Sequence, residues 1–259
     1  PYTGLAHSLR ERLDYLNEHG LTEIQSLESE LYRFIHMTTR EVVYESLPFK
    51  QRRSLHREIG DYIEEVSAQS ISEKTSLLAY HYYEGQAWDQ ALMFNLTAAR
   101  NAQREFANNT AILAAERALE AADNLSSMVD TSQEQISTHE LLGEVMTLIG
   151  QYDDALRHLE LARQAIEQET ANGNIPHLVE ICRKTAAVYE RLSEYDTAFE
   201  WLERGLQYLD QQEVTIEATR IYLLGTGIFR RLGKMDDAVN WCQKSLDLAS
   251  QIQTYEGRQ

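Results

Sequence analysis

The sequence predicts an all-α protein: a right-handed α-α superhelix of helical hairpins, preceded by a small N-terminal remnant that contains a short β-hairpin. Three observations carry that expectation. The stretch Gly150-Gln151-Tyr152-Asp153-Asp154-Ala155-Leu156 places a helix-ending glycine, a short turn, acids at a helix start and a small residue one turn in. The same grammar returns at Ser193-Glu194-Tyr195-Asp196-Thr197-Ala198 and at Gly233-Lys234-Met235-Asp236-Asp237-Ala238. Finally, 259 residues hold only three prolines and twelve glycines, a composition that suits helices.

The first helix is set by Leu5, Leu9, Leu13 and Leu16 and is expected to end at His19-Gly20. From Leu21 the period shortens. Residues 21 to 27 and 31 to 35, around the acidic turn Glu28-Ser29-Glu30, predict a β-hairpin. Helix, hairpin and further helices are the order found at the end of a winged-helix module. The basic surface that phosphate contacts require is thin, which favours packing over DNA reading.

Next comes Tyr32-Arg33-Phe34-Ile35-His36, followed by Arg40-Glu41-Val42, Tyr44-Glu45-Ser46-Leu47, Arg52-Arg53, Leu55-His56 and Ile59. Over residues 20 to 66 this pattern resembles the segment that follows the nucleotide-binding and winged-helix parts of STAND-type AAA ATPases. Those include large bacterial regulators and the ATPase regions attached to class III adenylate or guanylate cyclases. The resemblance implies a cytoplasmic signalling ATPase as the parent protein. It also implies that the segment leads into tetratricopeptide (TPR) helices, and that the position of His36 approaches the nucleotide. A phosphate-cradling G-x-x-x-x-G-K-[ST] run is missing from the sequence, so the nucleotide-binding domain of such a parent would precede residue 1.

Leu55, Ile59, Tyr62, Ile63 and Val66 follow the helical period and predict a helix over 49–66, with Lys50, Arg52 and Arg53 on a solvated face. Residues 1 to 70 are therefore read as one module and 72 to 259 as about five TPR-like hairpins. The first-helix signature falls at Leu78-Ala79 with Tyr82, Ala98-Ala99 with Ala102 and Leu142-Gly143 with Met146. It returns at Thr185-Ala186 with Tyr189 and Gly225-Thr226 with Phe229. Ala91, Ala111, Ala155, Ala198 and Ala238 mark the second helices, small because two helices cross closely there. Ala91 and Ala111 are too close for a full repeat of about 34 residues, so one helix near 88–106 is expected to serve two units. Residues 169–176 read as a loose connection, and Thr254-Tyr255-Glu256-Gly257-Arg258-Gln259 as the opening of another first helix with more repeats beyond.

No chemistry is visible. The eight histidines show no H-E-x-x-H spacing, and neither a G-x-S-x-G elbow nor a CxxC occurs. Cys182 and Cys242 read as inert thiols, consistent with a reducing cytoplasm. No enzyme activity, cofactor or metal is expected. The net charge of −17 argues against general affinity for nucleic acid or anionic lipid, and no apolar run reaches membrane-spanning length.

The expected partner is a protein or peptide, another domain of the same chain included, held on the concave surface lined by first helices. The register assigns to that surface Glu140, Glu144 and Thr147, then Glu180, Arg183, Glu190 and Arg191, then Arg220, Arg230 and Arg231, running from acidic to basic. The favoured function is a non-catalytic interaction scaffold or sensor arm of a larger signalling ATPase. Two alternatives are a peptide-sensing transcriptional regulator with a DNA-contacting winged helix, and a partial nucleotide site completed by an upstream ATPase domain.

Overall fold

The computed structural model describes residues 3–26, 31–67, 71–125, 129–169, 175–209 and 216–256. Among the described residues the chain is all-α apart from one two-stranded antiparallel hairpin. It divides into two compact units between Ile59 and Gly60, a boundary that falls inside one helix.

In the first unit α1 (Thr3–Glu18) is followed by β1 (Thr22–Ser26), β2 (Leu31–Phe34), α2 (Met37–Ser46) and the start of α3 (Phe49–Val66). Gly20 adopts a left-handed φ of 68°, which lets the chain reverse from α1 into β1. The strands pair Glu23 with Arg33 and Ile24 with Tyr32, with an irregularity between Ile24 and Ser26. Arg33 Nε donates to Glu23 at 3.0 Å, and the Tyr32 hydroxyl donates to Asp14 at 3.1 Å. Leu27 and the anticipated turn Glu28–Glu30 lie outside the described residues. His36 is exposed at the N-cap of α2 and makes no side-chain capping bond.

The second unit runs from the end of α3 through α4 (Ile71–Glu84), α5 (Trp88–Arg104), α6 (Asn108–Leu125) and α7 (Ser132–Ile149). It continues with α8 (Tyr152–Glu169), α9 (Ile175–Arg191), α10 (Tyr195–Tyr208), α11 (Ile216–Arg231) and α12 (Met235–Glu256). Helices pack as successive antiparallel pairs: α4 with α5, α5 with α6, α7 with α8, α9 with α10 and α11 with α12. α5 thus closes one hairpin and opens the next, as the short spacing of Ala91 and Ala111 predicts. Two expectations need adjusting. Of the first-helix opening expected over 254–259, Thr254, Tyr255 and Glu256 continue α12, and the rest lies outside the described residues. Of the loose connection expected over 169–176, Glu169 ends α8, Ile175 and Pro176 open α9, and the rest lies outside the described residues.

One turn geometry repeats along this unit. Gln86, Phe106, Gly150, Ser193 and Gly233 all have left-handed φ, between 52° and 82°. In each case the next residue's N–H donates back to the carbonyl four residues before the left-handed one: Ala87 to Tyr82, Ala107 to Ala102, Gln151 to Met146, Glu194 to Tyr189 and Lys234 to Phe229, at 2.9–3.0 Å. This is the Schellman closure of a helix C-terminus. The residue after the left-handed one then accepts the first bond of the following helix, from Ala91, Ala111, Ala155, Ala198 or Ala238. All five alanines are buried, and they set the close crossing on which each hairpin depends. The core falls into two clusters, one drawn from α4 to α9 and one from α9 to α12, so α9 contributes to both.

Candidate functional site

First helices α7, α9 and α11 pack on one another in series, with α5 against α7. Their facing sides carry a ladder of charge. At its centre is Lys184, on the α9 face toward α7, with its side chain only 11% exposed. Its ammonium donates to Glu144 at 2.8 Å, to Glu180 at 3.0 Å and to Glu140 at 3.5 Å. Glu144 also accepts from Gln103 of α5 at 2.7 Å, and Glu140 pairs with His177 Nε2 at 2.8 Å. Further along, Arg183 Nε donates to Glu217 of α11 at 3.0 Å, Glu217 also holds Arg220, and Glu190 pairs with Arg231.

The electrostatics follow from that geometry. Burial is the largest single influence on Lys184 and opposes its charge, but Glu140, Glu144 and Glu180 together outweigh it and its pKa is raised. Burial likewise pushes Glu180 up, yet Lys184, Arg183 and His177 bring it below the usual carboxylate range. His177 is raised, first by its hydrogen bond to Glu140. Donor atoms of Glu140, His177 and Glu180 lie within 4.8 Å of one another, a spacing a divalent cation could use. The Lys184 ammonium already supplies positive charge at hydrogen-bonding distance to both carboxylates. The arrangement therefore suits a salt-bridge hub better than a metal centre.

Next to the hub a groove of about 260 Å³ opens between α7 and α9, lined by Gly143, Glu144, Thr147, Leu148, Leu159, Arg183, Lys184, Ala187 and Arg191. Its floor is deep at Gly143 because the glycine lies against Leu159; a Cβ there would come within 2.7 Å of the Leu159 side chain. Thr147 turns its hydroxyl back to the Gly143 carbonyl at 2.6 Å, so its methyl is what it offers the groove.

The ten residues assigned from the register to this face thus fall into three overlapping groups. Glu144, Thr147, Arg183 and Arg191 line one groove. Glu140, Glu180, Glu190, Arg220 and Arg231 are engaged in ion pairs, all of them between neighbouring first helices or within one. Arg191 and Arg230 are exposed and form no ion pair among the described residues. Lys184, His177, Glu217 and Gln103 complete the ladder and are not singled out by the motif. The register does contain a signal for Lys184. It lies nine residues before the left-handed Ser193, where Leu141 precedes Gly150 and Leu224 precedes Gly233. A lysine at a leucine position must find partners.

A second polar cluster lies inside the α7–α8 hairpin. His139 and His158 share a hydrogen bond between their Nδ1 atoms at 2.9 Å, which requires one to donate and the other to accept. Burial, then His139 and Arg157, push His158 down to about 4, and burial and Arg157 lower His139. Burial also pushes the Cys182 thiol up to about 11, so it is no nucleophile at neutral pH. No helix among the described residues is long and apolar enough to cross a membrane.

No protein-family profile matches this sequence, and no curated protein matches it. Solved structures do. MamA is 17% identical over 76% of this chain and 98% of its own, with a TM-score of 0.52. BtubC from P. vanneervenii is 11% identical, covering 80% of this chain and 93% of its own, with a TM-score of 0.56. The apo form of RapI is 12% identical, covering 84% of this chain and 68% of its own, with a TM-score of 0.50. At these identities the likeness is one of fold, and the fold is that of a TPR-like helical superhelix.

Proposed function

We propose that the chain is a non-catalytic protein- or peptide-binding module that engages its partner on the face built by α7, α9 and α11. One observation carries this reading: the groove beside Lys184, where a deep apolar floor at Gly143 and Leu159 adjoins Arg183, Lys184 and Arg191. A partner strand laid there would meet apolar contact below and charge on both rims. Such an arrangement fixes register and orientation more than it supplies raw affinity. The ladder also holds neighbouring first helices in a fixed relation, which keeps the surface preorganised for binding.

In this reading the module is the sensor or scaffold arm of a larger cytoplasmic signalling ATPase, cyclase-linked regulators included. That part rests on the resemblance of residues 20 to 66 alone. The binding part is tested by selecting peptides from a random displayed library against the chain. Arg191→Glu and Arg230→Glu, neither of which breaks an ion pair, should weaken the selected peptides by at least tenfold, while Val42→Ser in the first unit should leave them unaffected. Peptides that bind all variants equally would refute the assignment of this face.

A further inference from the structure

α5 packs against α7 on one side and α11 against α9 on the other, so the groove beside Lys184 lies inside the array and not at either end of it. Its two walls run side by side. Lys184 of α9 meets Glu140 and Glu144 of α7, and the groove continues with Ala187 and Arg191 alongside Thr147 and Leu148. Successive turns of α7 thus face successive turns of α9, and the trough follows the helix axes.

The cations along the trough are unequal. Lys184 is shared by three carboxylates, and Arg183 is held by Glu217 at 3.0 Å. Arg191, two turns beyond Arg183, is exposed and forms no ion pair among the described residues. An incoming carboxylate is disfavoured at the hub end, where Glu140, Glu144 and Glu180 already crowd one ammonium, and favoured at the Arg191 end. Between the two lies an uncharged notch, in which Gly143 and Ala187 leave room above Leu159. The groove, at about 260 Å³, takes one apolar side chain, whereas pockets for drug-sized ligands begin at about 300 Å³.

The wider charge distribution selects the same kind of partner. The sequences of α9 and α11 carry six Lys or Arg and three Glu, whereas those of α8, α10 and α12 carry four Lys or Arg and twelve Asp or Glu. An acidic segment is repelled by the second helices and drawn to the first.

We propose that the partner is an extended internal peptide segment that seats one apolar side chain over Gly143 and Ala187 and presents an Asp or Glu, two residues away, to Arg191. This rests on the binding face proposed above and names its ligand. The spacing fits. Ala187 and Arg191 are one turn apart, about 6 Å along the helix axis. Alternate side chains of an extended strand point to the same side and are about 6.6 Å apart. A carboxylate that reaches Arg191 gains a charge-assisted bond, stronger than one between neutral groups.

The test is a displayed peptide library panned on the 259-residue chain, with Leu or Ser at one position, Glu, Gln or Lys two residues to either side, and random flanks. Leu should be enriched over Ser, and Glu at least fivefold over Gln and further over Lys, with a smaller preference for Glu in 0.5 M than in 0.05 M salt. On Arg191→Glu the preference should pass to Lys. Ala187→Leu fills the notch with a good helix former and should remove the preference for the peptide leucine while thermal melts stay unchanged. Synthetic copies of the enriched peptides should bind equally with a free or an amidated C-terminus. Peptides sensitive to Ala187→Leu that do not prefer Glu, or whose preference survives Arg191→Glu, overturn this inference and leave the binding face standing. So does binding that needs the free C-terminal carboxylate. Peptides indifferent to both variants, or a library that yields no enrichment, overturn the inference and the binding face together.

Discussion

Replacing Lys184 with methionine keeps the length and apolar stem of the side chain and removes only the cation. Three carboxylates then face one another where an ammonium stood at 2.8, 3.0 and 3.5 Å. Their side chains differ in freedom: Glu144 is 40% exposed and can turn to water, Glu180 is 32% exposed, and Glu140, at 13%, is tied to His177. Breaking a fully buried pair costs about 3–5 kcal/mol. With one carboxylate free to leave and His177 still beside Glu140, the expected loss is roughly 2–3 kcal/mol at pH 7.5. The pH dependence follows from the signs. Lys184 is a main reason that Glu180 lies below the ordinary carboxylate range. Without it, burial and like charge raise the folded-state pKa above that of the parent chain, opposed only by Arg183 and His177. The folded variant then takes up protons more readily than the folded parent, and the deficit shrinks as pH falls toward 5. Urea unfolding followed by circular dichroism at both pH values measures this. Adding Glu140→Gln to Lys184→Met should recover part of the loss, a coupling the double-mutant cycle reads directly. A deficit under about 0.5 kcal/mol at pH 7.5, or the same deficit at both pH values, would refute the hub.

Other expectations concern the hairpins. Phe106 is 78% exposed and held at φ 58°, so Phe106→Gly should stabilise the chain by about 1 kcal/mol, read as a higher denaturation midpoint. Gly150→Ala should cost about as much from φ alone, since a Cβ there meets nothing within 4 Å. At Gly225 a Cβ would strike the Trp241 ring, so Gly225→Ala should cost about 1–3 kcal/mol by overpacking, detectable as lost tryptophan fluorescence anisotropy before global unfolding. His158 titrates near 6.5 when unfolded and about 4 when folded, so the unfolded chain binds more protons in between. Stability should therefore drop by roughly 2–3 kcal/mol as pH falls through that window, and His158→Leu should flatten the acid limb of thermal melts.

The architecture is legible in the sequence because one turn recurs with its small residues in step. Gly150 and Gly233 announce two of the left-handed positions, and the spacing to Ala155 and Ala238 announces the crossing. Gln86, Phe106 and Ser193 occupy the same conformation without a glycine, so only their distance from Ala91, Ala111 and Ala198 betrays them. The proposed binding face is legible by register as a set of positions, but not as a network. A motif names which residues share a face; it does not say that Lys184 would replace a leucine and gather acids from two helices. Arg183 illustrates the difference: its place on the face follows from spacing, whereas its pairing with Glu217 depends on how α9 and α11 pack. His139 and His158 are likewise separate letters in the sequence, joined only when α7 and α8 close.

Hydrogen exchange of the chain with and without a saturating library-selected peptide tests the central claim most directly. Protection concentrated in α7, α9 and the adjoining turn of α11, lost in Arg191→Glu, is the expected result. Protection centred on α8, α10 and α12, or confined to residues before Gly60, would contradict a partner surface built from the first helices.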